Sequence, residues 1–141
     1  MDDAVISVFD AKYHYNFWRP VTAIRNGDAD GNDATQRDAG WASFIDTPMH
    51  PEYPGAHCIF QSATASVLMQ SFGDVVPTFT LTSPTAPGVK RSFDRLSGYV
   101  SEVVEARILE GVHYVNSGRV GADMGRLIGE LVAREQLQPA R

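Results

Sequence analysis

Three glycines recur at every fourth residue in the last third of the chain, at Gly121, Gly125 and Gly129. They interrupt a helical pattern whose apolar residues fall on one face: Val120, Met124, Leu127, Ile128, Leu131 and Val132. A glycine inside a helix costs roughly 1 kcal/mol of helix propensity against alanine, so three of them need a compensating gain. Because residues four apart share one side of a helix, these glycines predict a flat ridge for close helix packing.

The rest of the periodicity is also helical, and it predicts an all-α helical bundle with at most one short extended segment. Helices are predicted over residues 3–18, 21–25, 57–72, 93–111 and 113–134. A long loop rich in Asp, Gly, Asn and Pro is predicted over residues 26–55, and residues 78–82 alternate like a strand. No internal repeat and no linker divides the chain, so residues 1–141 are interpreted as one catalytic-type domain.

Composition and the distribution of charged and apolar residues limit what this chain can bind and where it can reside. The net charge is −5 with both signs mixed along the chain, which argues against nucleic acid as a partner. Cys58 is the sole cysteine, so no internal disulfide forms, and a small core residue is expected there. There is no signal-peptide pattern and no run of eighteen apolar residues, so a soluble chain of undetermined compartment is expected. A homo-oligomer stays open, and the abrupt start suggests a fragment or a short paralogue.

Cationic residues and histidines concentrate in three stretches: Lys12 with Arg19-Pro20, then Pro54-Gly55-Ala56-His57, then Arg107 with His113. Cations and imidazoles in this number are what a protein needs to hold a phosphate-like anion and to do chemistry on it. On one helix, Lys12 and Arg19 would lie within about 20° of each other. We therefore predict both on one helical face, beside an apolar stripe. The stripe comprises Ile6, Phe9, Tyr13 and Phe17.

The two histidines are predicted at helix starts. On one continuous helix, Arg107 and His113 would diverge by about 120°. Gly111 lies where a break would let them converge, so His113 is predicted to open the next helix. His57 precedes an apolar helical pattern in the same way. Unpaired backbone N–H groups at helix starts attract anions, which favours one shared anion site.

On these motifs the chain resembles the catalytic part of the type 2 phosphatidic acid phosphatase and vanadium haloperoxidase superfamily. The superfamily pattern is Lys-x6-Arg-Pro, then Pro-Ser-Gly-His, then Ser-Arg-x5-His with an Asp four residues further on. The first block matches fully, and the other two match at Pro54, His57, Arg107 and His113. The resemblance extends over about residues 5–135 and makes the chain similar to the C-terminal portion of the family domain.

The resemblance implies a role for each matching residue. His113 corresponds to the histidine that attacks phosphorus in the phosphatases and binds vanadium in the peroxidases. His57 corresponds to the general acid and base. The cations that neutralise the oxyanion correspond to Lys12, Arg19 and Arg107, and an amide donor corresponds to the backbone N–H of Ala56.

Three positions depart from the superfamily pattern. Gly55 replaces a serine that supplies a hydroxyl donor, and Ala106 replaces the serine before the arginine. Ser117 stands where the family often has the Asp that orients the nucleophilic histidine. A serine hydroxyl can accept a bond from the imidazole N–H, but it does not stabilise an imidazolium as a carboxylate does.

The resemblance leaves three functions open. The preferred one is a vanadate-dependent haloperoxidase-like enzyme, in which vanadate is the cofactor and peroxide and halide are the substrates. The alternative is a phosphatase without a cofactor, which cleaves a phosphomonoester or lipid phosphate through a phosphohistidine on His113. The third is a non-catalytic oxyanion-binding domain.

His50 separates the first two functions. Bromide-favouring haloperoxidases resemble one another in carrying a histidine seven residues before the acid–base histidine, whereas chloride-oxidising relatives carry an aromatic residue. We therefore expect His50 to line the pocket of His57 and the enzyme to oxidise bromide and iodide but little chloride.

Two groups of residues have side chains that bind cations but lack the spacing of known cation sites. The run from Asp28 to Asp33 lacks the glycine and the final carboxylate of an EF-hand loop, so a solvated turn is expected. His50, Glu52 and His57 have the side chains of zinc ligands, but their spacing matches no regular zinc motif.

Overall fold

The computed structural model describes residues 1–137 and contains five helices and one β-hairpin. In chain order the elements are α1 (Asp2–Tyr15), α2 (Pro20–Arg25), α3 (Ala56–Phe72), β1 (Val75–Ser83), β2 (Ala86–Arg95), α4 (Leu96–Leu109) and α5 (Val115–Glu135). The helical bundle is confirmed. The strictly all-α class is wrong, because two paired strands of nine and ten residues stand between α3 and α4.

The glycine ridge of α5 packs directly on the backbone of α3, as its spacing predicts. A Cβ at Gly125 would lie 2.3 Å from the carbonyl oxygen of Ile59, and one at Gly129 would lie 2.5 Å from that of Ala63. Two serines of α3, Ser62 and Ser66, donate hydrogen bonds across the interface to backbone carbonyls of α5. Only glycine allows the two backbones to approach this closely, so the ridge sets the relative position of α3 and α5.

The first helix ends earlier than predicted. Asn16 adopts a left-handed conformation with φ 46°, and its N–H bonds to the carbonyl of Lys12. Arg19 is extended because it precedes Pro20, and it caps α2 instead of continuing α1. The prediction that Lys12 and Arg19 share one helical face is therefore wrong.

The predicted apolar stripe on α1 is also wrong. Ile6 and Tyr13 are 68% and 65% exposed, whereas Ala4, Val8 and Lys12 form the buried face. Small residues of α3 lie opposite this face, and the core they build with it consists of Ala4, Val8, Ala56, Ile59 and Ala63. Close packing of small side chains thus outweighs the larger apolar area of the predicted stripe.

The β-hairpin extends the predicted strand and shortens the helix predicted over residues 93–111. Phe93, expected in that helix, pairs with Phe79 across the two antiparallel strands. The ring of Tyr99 in α4 contacts both phenylalanines. The carboxylate of Asp74 accepts bonds from the backbone N–H and the hydroxyl of Ser97, so α4 begins near this cap.

The long loop docks on the turn between α4 and α5. The predicted interruption at Gly111 is confirmed, since this residue has φ 74° and follows the end of α4. The ring of Trp41 covers Gly111, leaving about 3.0 Å for any added Cβ, and the N–H of Phe44 donates to the carbonyl of Glu110. Helix α5 begins at Val115, so His113 lies two residues before the helix that it was predicted to open.

Two smaller predictions concern burial. Cys58 is fully buried, which confirms a core cysteine. Over residues 1–137, no helix has both the length and the apolar character needed to cross a membrane.

Candidate functional site

Lys12 is a fully buried lysine held by the loop that precedes α3. Its Nζ donates to the carbonyl oxygens of Pro51 and Glu52, each at 2.8 Å. Burial lowers the pKa of Lys12 to about 7, and the nearby charge of Arg19 adds to this effect. The charge of Lys12 therefore changes near neutral pH.

Arg19 connects the first and third of these stretches with the part of the long loop that carries His50. Its Nε donates to the carbonyl of His50 at 3.0 Å, and its Nη1 donates to the carbonyl of Val112 at 2.8 Å. The same guanidinium faces Nδ1 of His50 at 3.1 Å and Nε2 of His113 at 3.3 Å. Burial lowers the pKa of Arg19 to about 10, so the guanidinium stays charged at neutral pH.

His113 is oriented by a buried carboxylate. Its Nδ1 lies 2.6 Å from Oε1 of Glu52, a residue with no exposed surface. The backbone N–H of Tyr114 donates to the same oxygen at 3.1 Å, and the Ser117 hydroxyl donates to Oε2 at 2.6 Å. Burial raises the pKa of Glu52, but the bonds from His113 and Ser117 outweigh it and the net direction is down. The ionised carboxylate accepts, so Nδ1 carries the proton and Nε2 presents its lone pair.

Glu52 is the residue that sequence reasoning missed. It was considered only as a zinc ligand. In the structure it bonds to His113 and to Ser117, the serine at the position where the superfamily often has an aspartate. The Ser117 hydroxyl does not accept a bond from the imidazole, because both residues bond to Glu52, which lies between them. The available signal was a carboxylate in the Pro51-Glu52-Tyr53-Pro54 segment, directly before the stretch that carries His57.

Arg107 lies in the last turn of α4 and is 8% exposed. Its Nη1 donates to the carboxylate of Glu110, three residues further on. Its Nε is buried and has no hydrogen-bond partner within residues 1–137. A buried donor without an acceptor is costly, so this atom is suited to bind an oxygen of a ligand.

His57 and Ala56 occupy the first turn of α3. As the first residue of the helix, Ala56 has a backbone N–H without an intrahelical acceptor. The His57 side chain is partly open to solvent. The neighbouring atoms remove part of its solvation, which lowers its pKa to about 4. The charges of Arg107 and His113 lower it further. His57 is therefore neutral at neutral pH and can accept a proton.

Two further predicted positions lie beside these residues. His50 is half-buried, is held by Arg19 and packs edge-on against Phe9, so its ring does not point to bulk solvent. The N–H of Gly55 donates to the carbonyl of Ser117. A Cβ at Gly55 would lie 3.1 Å from that oxygen and 3.2 Å from Sγ of Cys58, so α5 and Cys58 leave little room for a side chain.

The predicted site residues therefore lie near one another, although three separate segments carry them. Their charges act on one another. Burial is the main cause that lowers the pKa of His57, and the charges of Arg107 and His50 add to it. Burial likewise lowers the pKa of His113, Glu52 opposes this, and Arg19 and Lys12 add to the lowering. Within the described part of the chain, no group of three His, Cys, Asp or Glu side chains is arranged to hold a metal cation. Cationic and N–H donors with a free buried Nε suit an oxyanion instead.

Comparison with protein families gives a match over residues 1–140 to the VCPO second helical-bundle domain. The chain belongs to this family. The resemblance to the phosphatase and haloperoxidase superfamily is thereby confirmed. No curated protein matches the chain.

Solved structures of vanadium haloperoxidases have the same fold. A structure titled "Crystal structure of the first bacterial vanadium dependant iodoperoxidase" is 32% identical with a TM-score of 0.80, over 94% of this chain and 30% of that one. The holo and apo types of a bacterial vanadium-dependent chloroperoxidase are each 23% identical with a TM-score of 0.74, over 94% of this chain and 33% of theirs. The chain thus spans about a third of the length of these proteins.

Proposed function

We propose that this chain carries the oxyanion site of a vanadate-dependent haloperoxidase, which oxidises halide with hydrogen peroxide. One observation carries the proposal. The Nδ1 proton of His113 is bonded to the buried Glu52, so its Nε2 lone pair faces the cations as a ligand atom. The match to the VCPO family and to an iodoperoxidase at 32% identity supports vanadate over phosphate ester as the group bound.

The residues present fit vanadate by their chemistry. His113 would bind the metal through Nε2, and Lys12, Arg19, Arg107 and the Ala56 N–H would neutralise or bond its oxygens. The buried Nε of Arg107, which has no partner in residues 1–137, is the donor that most needs such an oxygen. Bound vanadate supplies a Lewis acid that makes peroxide electrophilic towards halide.

The chain's own residues account for the acid–base work. His57 is neutral at neutral pH because its pKa is lowered to about 4, and the negative charge of bound vanadate would raise that pKa towards the range in which the ring can take the proton that peroxide must lose. Arg19 would support this role by positioning the two histidines that its guanidinium contacts, His50 and His113. His50 would tune halide access, and we expect oxidation of bromide and iodide with little oxidation of chloride.

The deciding experiment compares two reactions of the purified chain with and without orthovanadate. Peroxide-dependent oxidation of iodide, bromide and chloride is measured beside hydrolysis of an aryl phosphate. We expect vanadate to stimulate the oxidation of iodide and bromide. Aryl phosphate hydrolysis that vanadate inhibits would instead select the phosphatase with a phosphohistidine on His113. Silence in both reactions, with vanadate binding retained, would select a non-catalytic oxyanion-binding domain.

A pair of histidine variants tests the role of His113. His113→Ala should abolish vanadate binding and turnover, because it removes the only proposed covalent ligand. His14→Ala is the matched control: His14 lies on the exposed side of α1 and contacts Tyr15, outside the site. Far-UV circular dichroism should show the same helix content in both variants. An active His113→Ala enzyme would overturn the mechanism.

A further inference from the structure

Glu52 is bonded through every polar group that it has. Its N–H donates to the carbonyl of Phe17, and its own carbonyl accepts from Nζ of Lys12. Its carboxylate accepts from Nδ1 of His113, from the N–H of Tyr114 and from the hydroxyl of Ser117. One residue of the loop before α3 thus holds a cation of α1 and the histidine that precedes α5.

We propose that Glu52 is the positioning residue of the site: it fixes the tautomer and direction of His113 and replaces the aspartate that is absent at position 117. The inference rests on the proposed function for its catalytic meaning, because it concerns the histidine that would bind vanadate. Glu52 itself does not touch the oxyanion. It acts through His113, whose ring it faces from the side opposite to Arg19.

The chemistry of the pair explains the need for a carboxylate. An imidazole that serves as a ligand must keep one nitrogen unprotonated, and a carboxylate on the other nitrogen enforces this arrangement and raises ligand basicity. His113 is buried between the guanidinium of Arg19, 3.3 Å from its Nε2, and the carboxylate of Glu52, 2.6 Å from its Nδ1. Glu52 is the negative charge that opposes the guanidinium, and without it the ring would be a weaker ligand.

The contact between Ser117 and Glu52 explains why a serine can stand where the superfamily often has an aspartate. Its hydroxyl donates to Oε2 of Glu52, while His113 and Tyr114 donate to Oε1. Both carboxylate oxygens are therefore fixed, and the carboxylate cannot rotate away from the ring. Position 117 carries no negative charge, and Glu52 in the loop before α3 supplies the carboxylate beside His113 instead.

A purely structural role for Glu52 would have different consequences. If the carboxylate only tied the loop to α5, an isosteric amide would leave the proton affinity of His113 unchanged, because its oxygen can accept from Tyr114 and its NH2 can donate to the Ser117 hydroxyl. The test must therefore measure His113 itself, in the absence of vanadate and halide.

The experiment compares wild type with Glu52→Gln, Glu52→Gln/Ser117→Asp and Ser117→Ala. Nitrogen-15 NMR of the histidine rings reports the tautomer of His113 and the pH at which it takes up a second proton. Orthovanadate affinity is measured by calorimetry, and circular dichroism and urea unfolding verify the fold. We expect Glu52→Gln to lower the protonation pH of His113, to mix its tautomers and to weaken vanadate binding by about ten- to a hundredfold.

The double variant provides the matched rescue. An aspartate at position 117 returns a carboxylate to the turn beside His113, so it should recover part of the lost affinity and raise the protonation pH again. Ser117→Ala removes only one donor to Glu52 and should give a smaller loss. If Glu52→Gln does not fold, Ser117→Ala carries the test, and a wild-type tautomer, protonation pH and vanadate affinity in that variant would overturn the positioning role.

The outcomes separate this inference from the proposed function. Wild-type tautomer, protonation pH and vanadate affinity in Glu52→Gln would overturn the positioning role, even in an active haloperoxidase. A wild-type chain that oxidises no halide would overturn the proposed function, while a tautomer shift in Glu52→Gln would still establish how His113 is held.

Discussion

Lys12 is a cation of the site whose charge state changes near neutral pH. Burial and the charge of Arg19 bring its pKa to about 7, whereas the pKa of Arg19 stays near 10 and that of His57 falls to about 4. Between pH 6.5 and 8.5, Lys12 is thus the group among these three that loses its proton. Above the pKa of Lys12, the binding of an anion to the charged lysine must be accompanied by uptake of one proton by Lys12.

We predict that the affinity for sulfate falls as pH rises from 6.5 to 8.5, by at most tenfold per pH unit for one proton. Sulfate keeps its charge over this range, so the change belongs to the protein. Calorimetry in buffers of different ionisation enthalpy should show proton uptake on binding. Lys12→Met should bind sulfate weakly with no pH slope, and a pH-independent wild-type affinity would contradict the prediction.

The same lowered pKa has a consequence for stability. The folded chain releases the Lys12 proton at about pH 7, whereas the unfolded chain keeps it to about 10.5. The unfolded state therefore binds more protons between these values, and the contribution of Lys12 to the free energy of unfolding rises with pH over that window.

Gly55 offers a second prediction at the residue scale, in a matched pair of variants. Gly55→Ala measures the cost of a Cβ between the Ser117 carbonyl and Cys58, which we expect to be about 1–2 kcal/mol in urea unfolding. Gly55→Ser carries the same Cβ and adds the hydroxyl that the superfamily has. It should bind vanadate about tenfold more tightly than Gly55→Ala, as expected for one hydrogen bond to a charged group. Equal affinities would show that position 55 does not face the anion.

At the scale of elements, the contact between α3 and α5 determines where the site lies. The ridge glycine Gly121 faces the carbonyl of Gly55, so the interface continues directly into the segment that carries Ala56 and His57. Helix packing and site geometry are thereby coupled through one stretch of backbone.

We predict that Gly125→Ala destabilises the chain by about 3 kcal/mol, because its Cβ would overlap the Ile59 carbonyl oxygen and the helices must separate. Gly98→Ala in α4 is the matched control. Its Cβ would meet only the Arg95 side chain at 3.8 Å, so helix propensity should leave stability unchanged or raise it by up to about 1 kcal/mol. Similar unfolding midpoints for the two variants would refute close packing as the reason for the ridge.

Local signals explain which elements could be predicted from the sequence. The glycine ridge and the break at Gly111 depend on backbone geometry that only glycine permits, so spacing alone reveals them. The end of α1 at Asn16 and the buried face with Ala4 and Val8 depend on the surface of α3, which is distant in sequence. The second strand could not be inferred either, because its pairing with residues 75–83 carries no local periodicity.

At the scale of the whole molecule, the site unites segments that are far apart in the chain. Lys12 comes from α1, Arg19 from the start of α2, Glu52 from the long loop, and Arg107 and His113 from either side of the α4–α5 turn. The motif spacing predicts which cations and histidines take part. The spacing does not predict Glu52, because its contacts with Ser117 and His113 span 65 and 61 residues and arise only when the loop is folded.

The hydrophobic core of the chain is small, and this bears on how ligand binding and folding are linked. The core cluster is made mainly of alanines with one valine and one isoleucine, while large apolar side chains such as Phe44 and Phe72 are 89% and 70% exposed. A core of this size supplies modest stability, so a ligand that bridges several segments should change it measurably.

We therefore predict that orthovanadate at a hundred times its dissociation constant raises the free energy of unfolding by about 2.7 kcal/mol. Tryptophan fluorescence reports on Trp41, which covers Gly111, and on Trp18 in the segment between α1 and α2, whereas far-UV circular dichroism reports on the helices. Because the ligand would join loop and helices, both urea midpoints should rise together in wild type and in His14→Ala. His113→Ala should show neither rise. A shift in fluorescence alone would mean that the loop unfolds separately from the bundle, and no shift in either signal would remove vanadate as the ligand.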